Sequence, residues 1–368
     1  MQTRREILAG TALAFGAAFS ARVLGQAVTN APVGTVEGKK LGWALVGIGK
    51  LTQGQIIPAF ANCQKSKLVA FVTGHPDKTK PYMDKFGIKP ESIYGYEAYE
   101  KMADNPDIDC VYNVLPNGMH AEYTIRALKA GKHVLCEKPM ANSPEECQQM
   151  IDAAKAAGKK LMIAYRVHFE PHNLKVIEIC RNPGPLGKLR FINTEHTFKI
   201  GPGAWRLNKK MAGGGSLVDV GIYGLNATRY LTGEEPVSVT AQILENPSDP
   251  RFTEVEEGMV WTMKFPSGVQ ATCTTSYNAR NNNHHRLIFE NGMIDMDPAT
   301  GYHGIKVRAQ DPIEFPDMDQ FAAEMDHLSE CVMENKEPQA PGEEGLKDMK
   351  IMAAIYEAGR TGKAVSLA

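Results

Sequence analysis

The sequence predicts an α/β domain with a parallel sheet, followed by an α+β domain with a large, mainly antiparallel, open-faced sheet. Five short apolar runs in the first half lack polar alternation and are separated by helical patterns, which is typical of parallel strands covered on both faces. After about residue 185 the strands instead alternate apolar and polar residues, as strands with one solvent-exposed face do. The length of 368 residues also favours two domains over one.

The elements of the first domain follow one another as strand, helix and strand. The apolar runs predicted as strands are 42–47, 68–72, 110–114, 133–136 and 160–164. Helical patterns lie at 55–62, 121–130 and 144–157. We therefore assign residues 41–165 to this domain.

The second domain, residues 166–368, mixes alternating strands with helices. The alternating strands are 189–198, 237–244, 259–265 and 269–277. The helices are 215–230, 319–332 and 343–358. We expect the last helices to return toward the first domain, and no internal repeat is visible.

Composition limits the kinds of ligand. The chain carries 41 Lys+Arg against 42 Asp+Glu, so nothing in the charge balance attracts nucleic acid or an anionic membrane. Its seven cysteines are widely spread and contain no CxxC pair, which argues against a disulfide framework and against a zinc site. We expect buried structural thiols, no metal, and a small neutral or weakly charged ligand.

The N-terminus has the pattern of an export signal. Arg4 and Arg5 precede a short apolar run, 7–19, which is too short and too rich in glycine and alanine to span a bilayer. Small residues that suit a cleavage site follow, so residues 1–27 resemble a twin-arginine signal and predict a periplasmic location. The alternatives are an ordinary secretory signal and an amphipathic tail. Residues 28–40 are predicted to be a flexible arm.

A glycine pair after the first strand indicates a dinucleotide site of the Rossmann type. Gly47 permits a tight turn, and Gly49 lets the backbone approach a pyrophosphate at a helix N-terminus. Thr52 occupies the third glycine position, so the motif alone is weak and a simple turn is the alternative. Because a strand precedes the pair and a helix and a second strand follow it, we assign the loop, including Lys50 and Leu51, to the cofactor.

The end of the second strand favours NADP over NAD. An NAD site requires an acidic residue there to accept a hydrogen bond from the ribose 2′-hydroxyl. The strand instead ends at Thr73 and Gly74, with Lys78 shortly after, and these residues suit a 2′-phosphate. Asp77 is the alternative acid, and we expect it to cap the following helix.

Two segments supply candidate catalytic residues. Lys138 follows the fourth strand directly, at the edge where open α/β sheets bind ligands; the alternative is a surface lysine before a helix. Further along, three glycines at 213–215 permit close approach of the chain, and Ser216 is predicted to cap the next helix. Asp219 and Tyr223 then share one helical face and can present an orienting acceptor and a proton-transfer group. The alternative is a core aromatic residue beside a helix-dipole partner.

These residues also carry a family resemblance. Glu137-Lys138-Pro139, the glycine loop and Asp219…Tyr223 resemble the Gfo/Idh/MocA oxidoreductases, over residues 42 to 365. Many members of that family have histidine at the position of Tyr223, so the tyrosine narrows the likeness to the glucose–fructose and aldose–aldose subgroup. The resemblance implies a cofactor site lined by residues of both domains: Tyr96, Leu115, Asn117, His120, Glu137, Lys138, Arg166, Trp205, Arg206 and Tyr302.

The resemblance implies a reaction as well. An aldose would be oxidised at C1 to the aldonolactone with tightly bound NADP, and a second sugar would be reduced to the alditol. Lys138 and Tyr223 would bind the reacting hydroxyl, with Tyr223 taking its proton and Asp219 orienting it. The subgroup also implies a homodimer, or a tetramer, formed through the open sheet face, although the arm here is shorter. The alternatives are a sugar dehydrogenase or reductase with exchangeable cofactor, and a non-catalytic sugar-sensing regulator.

Overall fold

The computed structural model describes residues 38–367. The predicted signal segment and most of the predicted arm lie outside the described residues. From Lys39 onward the described chain forms one compact unit.

The first sheet is parallel, as predicted. Its strands are β1 (Leu41–Val46), β2 (Ser66–Val72), β3 (Ile93–Tyr94), β4 (Cys110–Asn113), β5 (His133–Glu137) and β6 (Leu161–Ala164). Their spatial order is β3-β2-β1-β4-β5-β6, so the order reverses between β1 and β4. Such a reversal opens a crevice at the carboxyl ends of the strands, where open α/β sheets bind ligands.

The helices of this part have clear local signals. They are α1 (Ile57–Ala59), α2 (Lys80–Phe86), α3 (His120–Lys129) and α4 (Pro144–Ala157). The α4 helix begins where the Ser143 hydroxyl accepts the Glu146 N–H at 3.2 Å, with proline at its first position. It ends at Gly158, which has a left-handed φ of 60°. The sequence prediction did not include α2 or the two-residue strand β3.

In the described part of the chain, the second sheet has eight strands and is mainly antiparallel, which confirms the predicted fold class. They are β7 (Leu189–Lys199), β8 (Ser238–Leu244), β9 (Gly258–Lys264), β10 (Gln270–Ser276), β11 (Asn278–Phe289), β12 (Met293–Met296), β13 (Val307–Arg308) and β14 (Val365–Ser366). Their order is β13-β12-β11-β7-β10-β9-β8-β14, and the pair β7–β10 is parallel.

Helices cover one face of this sheet. The remaining helices are α5 (Pro171–Arg181), α6 (Lys209–Ala212), α7 (Ile222–Thr232), α8 (Gln320–Met333) and α9 (Gly342–Thr361). Two glycines let the α7 segment press onto the strands, because a Cβ at Gly224 would lie 2.3 Å from the Thr194 hydroxyl and one at Gly221 would lie 3.1 Å from Trp261. The α9 helix also packs closely, since a Cβ at Gly359 would meet Ile243.

The α8 helix packs on the parallel sheet, although it follows the second sheet in the chain. Its Phe321, Met325 and Leu328 share a core cluster with Trp43 of β1. The Trp43 indole N–H donates to the Ser329 hydroxyl at 3.0 Å. The far end of the chain therefore completes the core of the first sheet.

The other face of the second sheet is open in the described chain. A polar row crosses four strands on it, with Asn193, Thr272, Thr262 and Thr240 in register. Large apolar side chains on the same face are exposed: Phe191, Leu244, Val260 and Met293.

The cysteines and the apolar character of the helices can be compared with the composition. All seven cysteines are free thiols, and every one except Cys180 is buried. Among residues 38–367, no helix has both the length and the apolar character needed to cross a membrane.

Candidate active site

The site lies at the carboxyl edge of the parallel sheet. The ends of the strands are aligned there, with Val46 opposite Asn113 and Glu137 opposite Ala164. The loops that leave these ends carry Gly47, Leu115, Lys138 and Arg166. Parallel strands thus bring together residues that are more than a hundred positions apart.

The glycine loop after β1 has the backbone that a nucleotide site requires. Gly47 has a φ of 91°, and its N–H donates to the Val72 carbonyl at 3.0 Å. A Cβ built on Gly49 would meet no atom of the described chain within 4 Å, so the backbone there is open to a close approach. Thr52 is buried, and its hydroxyl donates to the Gly47 carbonyl at 2.8 Å. This side chain closes the turn from the position of the third glycine.

The turn after β2 presents a hydroxyl, an exposed glycine and a lysine. Thr73 Oγ1 accepts the His75 N–H at 3.0 Å, and Gly74 and Lys78 are exposed beside it. Asp77 lies in the first turn of the short helix Pro76–Thr79 but makes no capping hydrogen bond there, so the predicted capping role is wrong. The turn is closed instead by the Thr79 hydroxyl, which donates to the Pro76 carbonyl at 2.7 Å.

Lys138 bridges the two parts of the chain. Its Nζ donates to the backbone carbonyl of Asp219 at 2.7 Å and lies 3.8 Å from that residue's Oδ1. The same ammonium lies 4.5 Å from the centre of the Tyr223 ring. With its side chain only 12% exposed, Lys138 is not a free surface lysine. Lys138 is thus in contact with both of the other candidate catalytic residues.

Asp219 is held by two further residues. Its Oδ2 accepts from Arg206 Nε at 2.9 Å and from the Tyr277 hydroxyl at 3.0 Å. Burial acts to raise the pKa of Asp219, but the Arg206 and Lys138 cations outweigh it and hold the pKa below its usual range. The sequence prediction missed Tyr277, which follows β10 and shows no local motif.

Tyr223 is the second residue of α7, and its hydroxyl and ring have different neighbours. Arg166 Nη2 donates to the hydroxyl at 3.3 Å. The His196 ring stacks on the tyrosine ring at 5.7 Å, and His196 Nε2 lies 2.9 Å from His285 Nε2. Burial lowers the pKa of both histidines. These neutral rings support Tyr223 from the sheet side.

Arg166 is buried, and it hydrogen-bonds to a loop that lies far from it in the sequence. Its Nη2 donates to the Thr300 carbonyl at 2.6 Å, and its Nη1 donates to Gln320 Oε1 at 2.6 Å and to the Gly301 carbonyl at 3.1 Å. The guanidinium lies 4.5 Å from the centre of the Tyr302 ring. Arg166 therefore positions the half-exposed Tyr302.

The glycine loop before α7 serves close packing of the chain. A Cβ on Gly214 would lie 2.2 Å from the Tyr356 hydroxyl, and one on Gly215 would lie 2.3 Å from the Glu256 carbonyl oxygen. The predicted cap at Ser216 is wrong, because its buried hydroxyl accepts no N–H group of the helix and has no hydrogen-bond partner within residues 38–367. The start of this helix is held by the Glu256 carboxylate, which accepts the N–H groups of Gly215 and Leu217 at 2.9 and 3.0 Å.

Three residues assigned to the cofactor brace the loops of the site. The Asn117 amide donates to the Ala212 carbonyl at 2.8 Å. The fully buried His120 ring lies between the carbonyl oxygens of Leu115 and Pro139, at 2.7 and 2.8 Å. The structure thus places His120 behind the cleft wall, where it holds two loops together.

The remaining assigned residues lie around these loops. Tyr96 lies next to Gly74, and burial raises its pKa. The Arg206 guanidinium stacks over Trp205 at 4.6 Å, so both residues stand on the second-domain side of the site. Lys50 is exposed and Leu51 half-buried after the first glycine loop. No group of His, Cys, Asp and Glu that could hold a metal ion occurs in the described part of the chain.

Comparison with known proteins matches both parts of the chain to one family. Residues 41–165 match the model "Oxidoreductase family, NAD-binding Rossmann fold", and residues 180–295 match the "GFO/IDH/MocA C-terminal domain". The crystal structure of aldose–aldose oxidoreductase from Caulobacter crescentus, complexed with glycerol, is 47% identical to this chain. It superimposes with a TM-score of 0.86 over 89% of this chain and 100% of its own. The chain belongs to the Gfo/Idh/MocA oxidoreductase family.

Two other proteins are less similar to this chain. A D-xylose 1-dehydrogenase [NADP(+)] of Haloarcula marismortui is 29% identical over 341 residues, which cover 88% of this chain and 92% of the relative. The crystal structure of a 3-ketoreductase from Actinomadura kijaniata, in complex with NADP and TDP-benzene, has a TM-score of 0.76 at 23% identity and covers 87% of this chain and 98% of its own. The latter likeness concerns the fold alone. The chain is therefore a sugar oxidoreductase of the Gfo/Idh/MocA type.

Proposed function

We propose that the protein oxidises an aldose at C1 to the aldonolactone with tightly bound NADP and reduces a second sugar to the alditol. One observation carries the proposal: Lys138, Asp219 and Tyr223 meet at the carboxyl edge of the parallel sheet, beside an open glycine loop. The 47% identity to an aldose–aldose oxidoreductase supports this two-sugar reaction over others of the family.

The residues around the cleft fit NADP. The open backbone at Gly49 suits the pyrophosphate, and the β2 turn offers Thr73, Gly74 and Lys78 to the 2′-phosphate. An acid at the end of β2 would repel that phosphate, and none is present. NADP, when bound, would accept the hydride of one sugar and return it to the other.

The protein's own groups would handle the proton and the orientation of the hydroxyl. Tyr223 is the general base for the C1 hydroxyl of the aldose, and it returns the proton when the second sugar is reduced. Lys138 supplies a cation over the tyrosine ring and a donor for the reacting oxygen. Asp219, ionised by its two cationic neighbours, accepts a hydrogen bond from the sugar and fixes its position.

Location and assembly are parts of the same proposal. The twin-arginine pattern supports export in the folded state to the periplasm, where a cofactor recycled by a second sugar needs no dissolved pool. The open face of the second sheet, with its exposed apolar side chains, supports a symmetric homodimer.

The test is a single-turnover experiment. Protein purified without added nucleotide is denatured and the released nucleotide identified, and intact protein is mixed with one aldose while nicotinamide absorbance is followed. We expect near-stoichiometric NADP, rapid reduction, and reoxidation by a second sugar. Tyr223→Phe should keep the bound nucleotide and lose roughly 10²–10⁴-fold in rate. Tyr82→Phe, on α2, is the matched control.

Three results would each reject part of the proposal. Empty protein would exclude tight NADP and point to a dehydrogenase with exchangeable cofactor. A bound nucleotide that no sugar reduces would point to the regulator. A Tyr223→Phe protein that is reduced as fast as the parent would remove Tyr223 from the mechanism.

A further inference from the structure

A cluster of three polar groups lies directly behind Lys138 in the interior. Glu137 ends β5, Tyr112 lies on the neighbouring strand β4, and Glu324 lies on α8. The Tyr112 hydroxyl is 2.8 Å from Glu137 Oε1 and 2.8 Å from Glu324 Oε1. Tyr112 and Glu324 are fully buried, and Glu137 is 9% exposed. Nothing in the sequence prediction anticipated Tyr112 or Glu324.

The count of hydrogens requires a proton beyond that of the tyrosine. A phenol has one hydrogen to donate, so it can satisfy only one of two carboxylates at hydrogen-bond distance. The second oxygen contact is favourable only if that carboxyl is itself protonated and donates to the phenol oxygen. The three groups therefore form a directional chain of two hydrogen bonds, with one negative charge in total.

The surroundings decide which carboxyl holds the proton. Glu137 faces the Lys138 cation, and its Oε2 accepts the Lys138 backbone N–H at 3.2 Å. Glu324 Oε2 is buried and has no hydrogen-bond partner among the residues that the structure describes. The charged groups that face Glu324 are Glu137 on β5, Asp319 before its own helix, and Arg166 after β6. Burial raises the pKa of both carboxyls, but the Lys138 cation opposes the rise at Glu137, whereas the Glu137 charge raises the pKa of Glu324 further.

We propose that Glu324 and Tyr112 are positioning residues for the reaction. The Glu324 carboxylic acid donates to the Tyr112 oxygen, and the Tyr112 hydroxyl donates to Glu137 and fixes that carboxylate against the Lys138 backbone. The inference rests on the proposed function for its kinetic consequence, since it gives the Lys138 ammonium a defined place beside Tyr223. It also makes α8, none of whose residues hydrogen-bonds to Lys138 or Tyr223, a support of the active site.

Three variants test the chain of hydrogen bonds. Glu324→Gln keeps a donor toward Tyr112 without any charge, Glu324→Met keeps the volume without a donor, and Tyr112→Phe removes the bridge. We expect Glu324→Met and Tyr112→Phe to lower the single-turnover rate of the folded protein by about 10- to 100-fold, because small misplacements of reacting groups have effects of that size. Glu324→Gln should rescue most of the rate. Thermal unfolding of each variant gives the folded fraction.

Two readouts do not depend on sugar turnover. The infrared spectrum at neutral pH should contain the carbonyl band of a buried protonated carboxyl, and Glu324→Gln should lack it. NADP affinity, followed by nucleotide fluorescence, should stay close to the parent value in Glu324→Gln. If the parent turns over no sugar, the proposed function fails while the infrared readout still decides the protonation of Glu324. The inference is overturned if the band is absent, if Glu324→Gln loses as much rate as Glu324→Met, or if Glu324→Met keeps the parent rate.

Discussion

A substitution that removes the charge of Asp219 tests the geometry of the site, because two cations lie next to its carboxylate. It accepts from Arg206 at 2.9 Å and from Tyr277 at 3.0 Å, lies 3.8 Å from Lys138 Nζ, and its side chain is 15% exposed. Asp219→Asn keeps the shape but removes the charge. Two cations then face each other without an anion, and the new amide has to turn a donor toward Arg206 or Tyr277.

The expected loss of folding stability in Asp219→Asn follows from these contacts. Breaking a buried ion pair by removing one partner costs about 3–5 kcal/mol, and the lower value applies here because the Arg206 side chain is 39% exposed. At the roughly 2 °C per kcal/mol expected for a large domain, 3 kcal/mol corresponds to a Tm lowered by about 6 °C.

The loss of stability in Asp219→Asn should also depend on pH. The pKa of Asp219 in the folded protein lies below its usual value. The stabilisation is therefore fully present above the unfolded value of about 3.9, and it is lost as the pH falls through the folded pKa. The Tm difference between the parent and Asp219→Asn should be constant from pH 7 to about 5 and should narrow below about pH 4.

Circular dichroism melts at several pH values provide the measurement. Asp84→Asn, an exposed change on α2, is the control and should leave the Tm unchanged. An Asp219→Asn protein that melts within about 1 °C of the parent at pH 7 would refute the buried ion pair. A Tm difference that is the same at pH 7 and at the acid end would refute the pH argument.

The other predictions concern the cofactor, the catalytic pair and the assembly. Lys78→Glu should weaken NADP binding by about 1.5–3 kcal/mol and leave NAD binding unaffected, as measured by titration of the apoprotein; equal losses for both nucleotides would contradict the 2′-phosphate assignment. Lys138→Ala and Tyr223→Phe should each lower single-turnover reduction, and the double variant should lose far less than the product of the two, because both residues act on one proton. If the rate losses of the two single variants multiply in the double variant, the two residues do not act on the same proton. Thr272→Arg, in the centre of the open sheet face, should convert a dimer to a monomer in light scattering, and a parent protein that is already monomeric at micromolar concentration contradicts the predicted assembly.

The fold was predictable where burial leaves a continuous or alternating pattern. All five apolar runs became parallel strands, and the 144–157 helix has the predicted bounds because a serine cap and a terminal glycine mark them. The long strand Asn278–Phe289 was not predicted, since its first half is rich in asparagine and histidine, which have low strand propensity. Tertiary contacts explain it, because Asn283 Oδ1 accepts the N–H groups of Ala299 and Thr300 at 3.2 and 2.9 Å.

The site was predictable only in part, because some of its residues are marked by the local sequence and others only by contacts with distant parts of the chain. The local sequence marks the three candidate catalytic residues, because each lies close to a glycine or to the end of a strand: Lys138, Asp219 and Tyr223. Tyr277 and Glu324 act through partners that are far away in the chain, and no spacing rule connects them. Ser216 shows the reverse error, because a good capping residue makes no cap here, while the distant Glu256 carboxylate accepts the N–H groups of Gly215 and Leu217 on either side of it.

The packing of α8 on the first sheet has a consequence for how the protein is made. Phe321, Met325 and Leu328 cover one face of strands that were synthesised much earlier, and Ser329 accepts the indole N–H of Trp43, which lies 286 residues before it. While the ribosome is still adding residues before α8, that face of the nucleotide-binding sheet lacks the part of its cover that α8 provides. The nucleotide-binding half therefore reaches its final packing only when the chain is nearly complete, and a fragment ending at residue 165 would expose this apolar face to water and to aggregation.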